Sequence, residues 1–166
     1  MVRLTRDDQW APVIGRLFIA FGVMESAINE LLRQQCSDQQ MKFLVSLQLK
    51  QRLDLLRSIL PERNLSDWNR KVLLDLLNEV SHLAKTRNLV AHNPLTLSRF
   101  KNDGSAKDKL WEEVIVAESG DRRITLEALR VAADRASTVA EALHASWIEL
   151  DLGVMEGKEP ELMRPC

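Results

Sequence analysis

The chain has 166 residues, with 23 lysines and arginines against 24 aspartates and glutamates, 45% hydrophobic residues and 28% charged ones. At this length a fold buries roughly 70% of its unfolded surface, which fits a single domain with an ordinary core and argues against a disordered chain. A formal net charge of -1 excludes indiscriminate coating of polyanions by bulk positive charge. Cys36 and Cys166, the two cysteines, form neither a disulfide framework nor a zinc spacing, so the expected compartment is the reducing cytoplasm. No signal architecture and no uncharged apolar window of membrane-spanning length is read in the sequence, so no membrane partner is expected.

In chain order, the first segment places Ile14, Leu17, Phe18, Phe21, Met24, Ile28, Leu31 and Leu32 at three- and four-residue steps. That spacing predicts a helix over about 7–35. Gly15 and Gly22, seven apart and continued by Asn29, lie nearly on one line along it. A helical glycine costs about 1 kcal/mol relative to alanine, so a closely packed neighbouring helix is expected there. A second helix over about 38–60 has Leu47, Leu53, Leu56 and Leu60 on its core side and ends at Pro61. Ser66 reads as the N-cap of a third, striped by Leu73, Leu76, Leu77, Val80, Leu83 and Ala84. It should end near Asn93, because Pro94 disfavours the helical conformation of the residue before it.

Beyond Pro94 the texture changes. Leu95 to Phe100 alternates with period two, Trp111 to Val116 is rich in β-branched residues, and Asn102-Asp103-Gly104 lies between them as a turn signal. A small β-hairpin over about 95–118 is expected. Thr125 and Glu127 then open a last helix to about Leu152, carrying Leu126, Leu129, Ala133, Ala136, Val139, Ala140, Leu143 and Trp147. The tail over 153–166 has no periodicity. The expected fold is thus mainly α: one domain over 1–152, an antiparallel bundle of four long helices with a hairpin inserted before the last.

Cutting the chain makes its charge informative. Residues 1–102 hold 15 Lys+Arg and 10 Asp+Glu, whereas 103–166 hold 8 and 14. The basic portion is where an anionic partner would bind. Within it, Leu73, Leu76, Val80 and Leu83 extend to Arg87 as the next member of their row. An arginine on an apolar row needs a counter-charge or an anion, since an unpaired buried charge is costly. The candidate counter-charge is Glu25 on the first helix. Asn88 and His92, four apart, share a helix face, and Arg87 is rotated about 100° from Asn88. A histidine in a last helical turn, followed by Asn-Pro, also has a plain structural reading as helix-stop chemistry. His82 and His144 have no motif partner, and the dispersed Trp10, Trp68, Trp111 and Trp147 read as core and interface anchors.

Arg87-Asn88-Leu89-Val90-Ala91-His92 resembles the signature of the HEPN superfamily: an arginine, a polar residue, three variable residues and a histidine. Phe21-Gly22-Val23-Met24-Glu25-Ser26-Ala27-Ile28-Asn29 in the first helix and the ending His92-Asn93-Pro94 are also similar to bacterial members. The resemblance implies a compact helical homodimer, often a metal-independent RNase, in which two motif helices face each other. It implies catalytic roles for Arg87, His92 and Asn88 and supporting roles for Glu25 and Asn93, with no metal and no cofactor. RNA carries its own nucleophile, the 2′-hydroxyl. Histidine can accept or donate the protons, and arginine can hold the phosphate charge. RNA, a second copy and an antitoxin or regulatory protein are the implied partners, and a toxin or defence role is the implied setting. The competing expectation is a non-catalytic helical dimer using the same helix for assembly or for binding RNA or another ligand. A DNA-binding regulator fits less well, because no recognition helix rich in basic residues is evident.

Overall fold

Ser66 does what a cap residue should. Its hydroxyl accepts the Asn69 backbone N–H at 3.1 Å and its carbonyl accepts that of Arg70 at 2.9 Å, so two donors of the first helical turn are satisfied. The helix it starts is one of five in the computed structural model, which describes residues 6–62, 65–99 and 111–151. In order these are α1 (Arg6–Arg33), α2 (Asp38–Leu44), α3 (Leu49–Ile59), α4 (Asp67–His92) and α5 (Leu126–Asp151). A 3-10 turn, Leu60–Glu62, follows α3, and strands β1 (Leu95–Arg99), β2 (Trp111–Val116) and β3 (Arg123–Thr125) lie between α4 and α5. The fold is mainly helical with a small antiparallel sheet of order β1-β2-β3. Phe100, the Asn102-Asp103-Gly104 turn and the rest of the expected hairpin connection to 110, with the tail over 153–166, fall outside the described residues.

Two expectations need correction. Expected as one long helix, the stretch over 38–60 is broken, leaving three long helices and two short ones. Ser37 and Gln40 form a capping box at the start of α2, Gln48 and Gln51 form another at the start of α3, and Gln48 is extended at φ -63°, ψ 151°. Between the helices the Ser46 hydroxyl donates to the Phe43 carbonyl at 2.6 Å, a side chain closing a turn that competes with further helix. The expected hairpin is a three-stranded sheet. β2 pairs with β1 through Leu95↔Ile115 and with β3 through Ile115↔Ile124. Thr125 ends β3 and its hydroxyl accepts the Ala128 N–H at 3.2 Å, so the residue expected to open the last helix also closes a strand.

Contacts gather the chain into two compact units, Met1–Ala20 with His82–Ser137 and Phe21–Ser81 with Thr138–Cys166, and α1, α4 and α5 each contribute to both. In the first unit Trp10, Leu17, Leu83, Val114, Ile115, Leu129 and Ala133 are buried. Neighbouring Val114 and Ile115 point to opposite sheet faces, so the middle strand is covered on both sides. Trp10 donates its indole N–H to the Glu113 carboxylate at 3.0 Å, and Arg16 pairs with Asp134 at 2.8 Å. The exposed Arg16 pair is worth at most about 1 kcal/mol, whereas each fully buried leucine contributes roughly 1.5–3 kcal/mol, so apolar burial holds these helices. In the second unit Met24, Ile28, Leu32, Leu53, Leu73, Leu77 and Leu143 are buried.

α1 departs from expectation in three further ways. Asp8–Arg33 is long and apolar enough to cross a membrane by length and composition, at mean hydropathy 1.5; its buried row of Leu17, Met24 and Ile28 is also what a core helix requires. A Cβ added at Gly15 or Gly22 would meet nothing within 4 Å, so among the described residues no element packs closely on either glycine. Phe18, expected in the core row, is exposed, and Ile19 beside it is 71% exposed.

Candidate active site

Arg87, Asn88, His92 and Asn93 all lie in the first unit, at the C-terminal end of α4. Arg87 is half-buried, as its place on the apolar row requires, and is already engaged by a partner. Asn88 and His92 are exposed. Arg87 and His92 are five positions apart, which in a regular helix turns their side chains about 140° apart around the axis. One copy of the helix therefore presents Asn88 with His92, and Arg87 toward a different side.

The helix end is pinned by Asn93. Its Nδ2 donates to the Leu89 carbonyl at 2.8 Å, and its Oδ1 accepts the Glu118 backbone N–H at 3.1 Å. One amide thus satisfies a terminal carbonyl of α4 and ties it to the turn after β2. That turn is closed by Gly120, whose N–H donates to the Ala117 carbonyl at 2.7 Å and whose φ of 74° suits a residue without a Cβ. In the same turn the Ser119 hydroxyl donates to the Asp121 carboxylate and holds its pKa below the ordinary aspartate value. Asn93, expected as a supporting site residue, therefore positions the end of the helix that carries His92.

Glu25 belongs to the second unit, where its carboxylate accepts a hydrogen bond from Arg52 Nη2 at 2.7 Å. Arg52 Nη1 donates to Asn29 Oδ1 at 2.6 Å. Only 6% of Arg52 is exposed, and its Nε makes no hydrogen bond among the described residues. This cluster was not anticipated, although its signal is in the sequence: Arg52 sits on the row of Leu49, Leu53 and Leu56, the same arginine-on-an-apolar-row pattern that singles out Arg87. Of the remaining candidates, His82 is exposed and His144 stacks on Trp147 with ring centroids 5.6 Å apart. Trp10 is a core anchor, while Trp68 is exposed.

Compared with protein-family models, curated proteins and solved structures, the chain matches none. Its chemistry must be read from its own residues. From Val80 to Asn102 there is no aspartate or glutamate, while Lys85, Arg87, Arg99, Lys101, His82 and His92 fall in that run. Among the described residues no group of three or more His, Cys, Asp or Glu could hold a metal ion. The helix end thus offers an exposed imidazole, an exposed amide and a nearby guanidinium, with no aspartate or glutamate in their own stretch of chain. Such a set can shuttle protons and hold an anion.

Proposed function

We propose that the protein is a HEPN-type, metal-independent endoribonuclease acting as a homodimer in the cytoplasm. The observation that carries this reading is the exposed Asn88–His92 pair beside half-buried Arg87, in a stretch free of acidic residues. In the proposed reaction one His92 takes the proton of a ribose 2′-hydroxyl, whose oxygen attacks the adjacent phosphorus. The bond to the 5′-oxygen breaks, and a second His92 gives that oxygen a proton. The products are a 2′,3′-cyclic phosphate and a 5′-hydroxyl. Arg87 balances the charge of the phosphorane, and Asn88 orients the phosphate or the imidazole.

A second copy is part of the proposal for two reasons. A single chain carries one motif histidine, turned about 140° from its arginine, whereas two facing helices supply both groups from both sides. The first unit also leaves Phe18, Ile19 and the open flank of Gly15 exposed on α1, and an uncovered apolar row of this kind is characteristic of association surfaces. An unrestrained RNase endangers its own cell, so an antitoxin or regulatory protein is the expected further partner.

The test is incubation with RNA in EDTA. Wild type should generate cyclic-phosphate ends, RNA carrying 2′-deoxyribose at the cut site should resist, and Arg87→Ala and His92→Ala should both lose cleavage. Full activity in both variants would remove the assignment. The engagement of Arg87 within the protein favours a second reading, a non-catalytic helical dimer. In that case Arg87→Ala lowers the melting temperature or disperses the dimer, and wild type cuts nothing.

A further inference from the structure

Most described cations of α3 and α4 are already committed to carboxylates: Arg52 to Glu25, Arg57 to Asp54, Arg70 to Asp67 and Lys71 to Asp75. Lys85 is different. It is exposed and makes no ion pair or hydrogen bond among the described residues. Its helical neighbours three and four positions away are Ser81, His82, Asn88 and Leu89, so no carboxylate on its own helix can reach it. Lys85 and His92 are seven residues apart, which places them within about 20° of one line along α4 and about 10 Å apart. Asn88, also exposed, lies between them. All three belong to the first unit.

Resting on the reading of this helix end as an RNA site, we infer that Lys85 is a further substrate-binding residue, holding a backbone phosphate beside the one at His92. The Lys85-to-His92 spacing places this phosphate a short way along the strand from the one that is cut. The strand then runs along the exposed side of α4, and the lysine contributes a sequence-independent contact that sets register. A flexible ammonium suits this task, because it meets a phosphate as a point charge without demanding a fixed fork geometry.

The experiment measures binding of a 2′-O-methylated oligoribonucleotide, which cannot be cut, by fluorescence anisotropy across a salt series. Lys85→Ala should raise Kd about threefold to tenfold at low salt and reduce the slope of log affinity against log salt by about 0.7, the value for one contact to a single strand. Lys85→Arg should restore most of both. Lys71→Ala, which removes a cation of the same helix already paired with Asp75, should change neither. Unaltered affinity and slope in Lys85→Ala, an equal loss in Lys71→Ala, or absence of binding by wild type would each overturn the inference. If wild type binds in a Lys85-dependent way but leaves unmodified RNA intact, the nuclease reading falls and the phosphate contact stands.

Discussion

Two stretches of α4 spend their polar side chains differently. In Asp67–Ser81, Arg70 pairs with Asp67 and Lys71 with Asp75, and Arg57 of α3 donates to the Leu77 carbonyl and the Ser81 hydroxyl at 3.0 and 2.7 Å. Every one of these groups is occupied in holding local structure. In the stretch from His82 to His92, Lys85, Asn88 and His92 are exposed, and no acidic residue lies within it. Helix formation accounts for the first arrangement completely. It does not account for the second, since an amphipathic helix could have carried compensating glutamates there at no cost to its core. That stretch of helix carries one sign of charge and an exposed imidazole.

The sharpest way to break that contrast is His92→Ala. Loss of a proton-transfer group should reduce RNA cleavage about 10²- to 10⁴-fold, while an exposed substitution should leave stability within roughly 0.5 kcal/mol; initial rates and a urea titration on the same preparation check both. Glu25→Ala should do the reverse. Arg52 is buried and would lose a charged hydrogen bond, so a destabilisation of about 2 kcal/mol is expected in urea. Asn93→Ala should cost roughly 1–2 kcal/mol by removing two hydrogen bonds, and it should speed amide exchange at Glu118, the donor of one of them. The smallest effect is expected from Lys71→Ala, an exposed helical pair worth about 0.3–0.5 kcal/mol, visible as a slight shift in the urea midpoint that shrinks at high salt.

Much of this molecule could be read locally. The row from Leu73 to Leu83, the Ser66 cap, the stop at Asn93-Pro94 and the start of α5 at Thr125 involve residues within a few positions of one another, where helical spacing and capping chemistry decide. The juxtaposition of Asn88 with His92 belongs to the same class. Harder to read was the break after α2, because Val45 to Gln48 contains neither Gly nor Pro; the side chains of Ser46, Gln48 and Gln51 make the interruption. β3 was missed because three residues are too short for a period-two pattern to register.

By itself, then, the sequence determined the helical periodicity, the helix ends and the order of Arg87, Asn88 and His92 along α4, since each follows from neighbours on one stretch of backbone. Tertiary structure alone decided where polar groups find partners. Glu25 gives its carboxylate to Arg52, 27 positions away, and Asn93 reaches Glu118, 25 positions away. Gly15 and Gly22, expected against a neighbouring helix, are open. Each buried or half-buried polar atom must be paired by whichever group the fold brings within hydrogen-bond range, and that choice has no periodic signature in the chain.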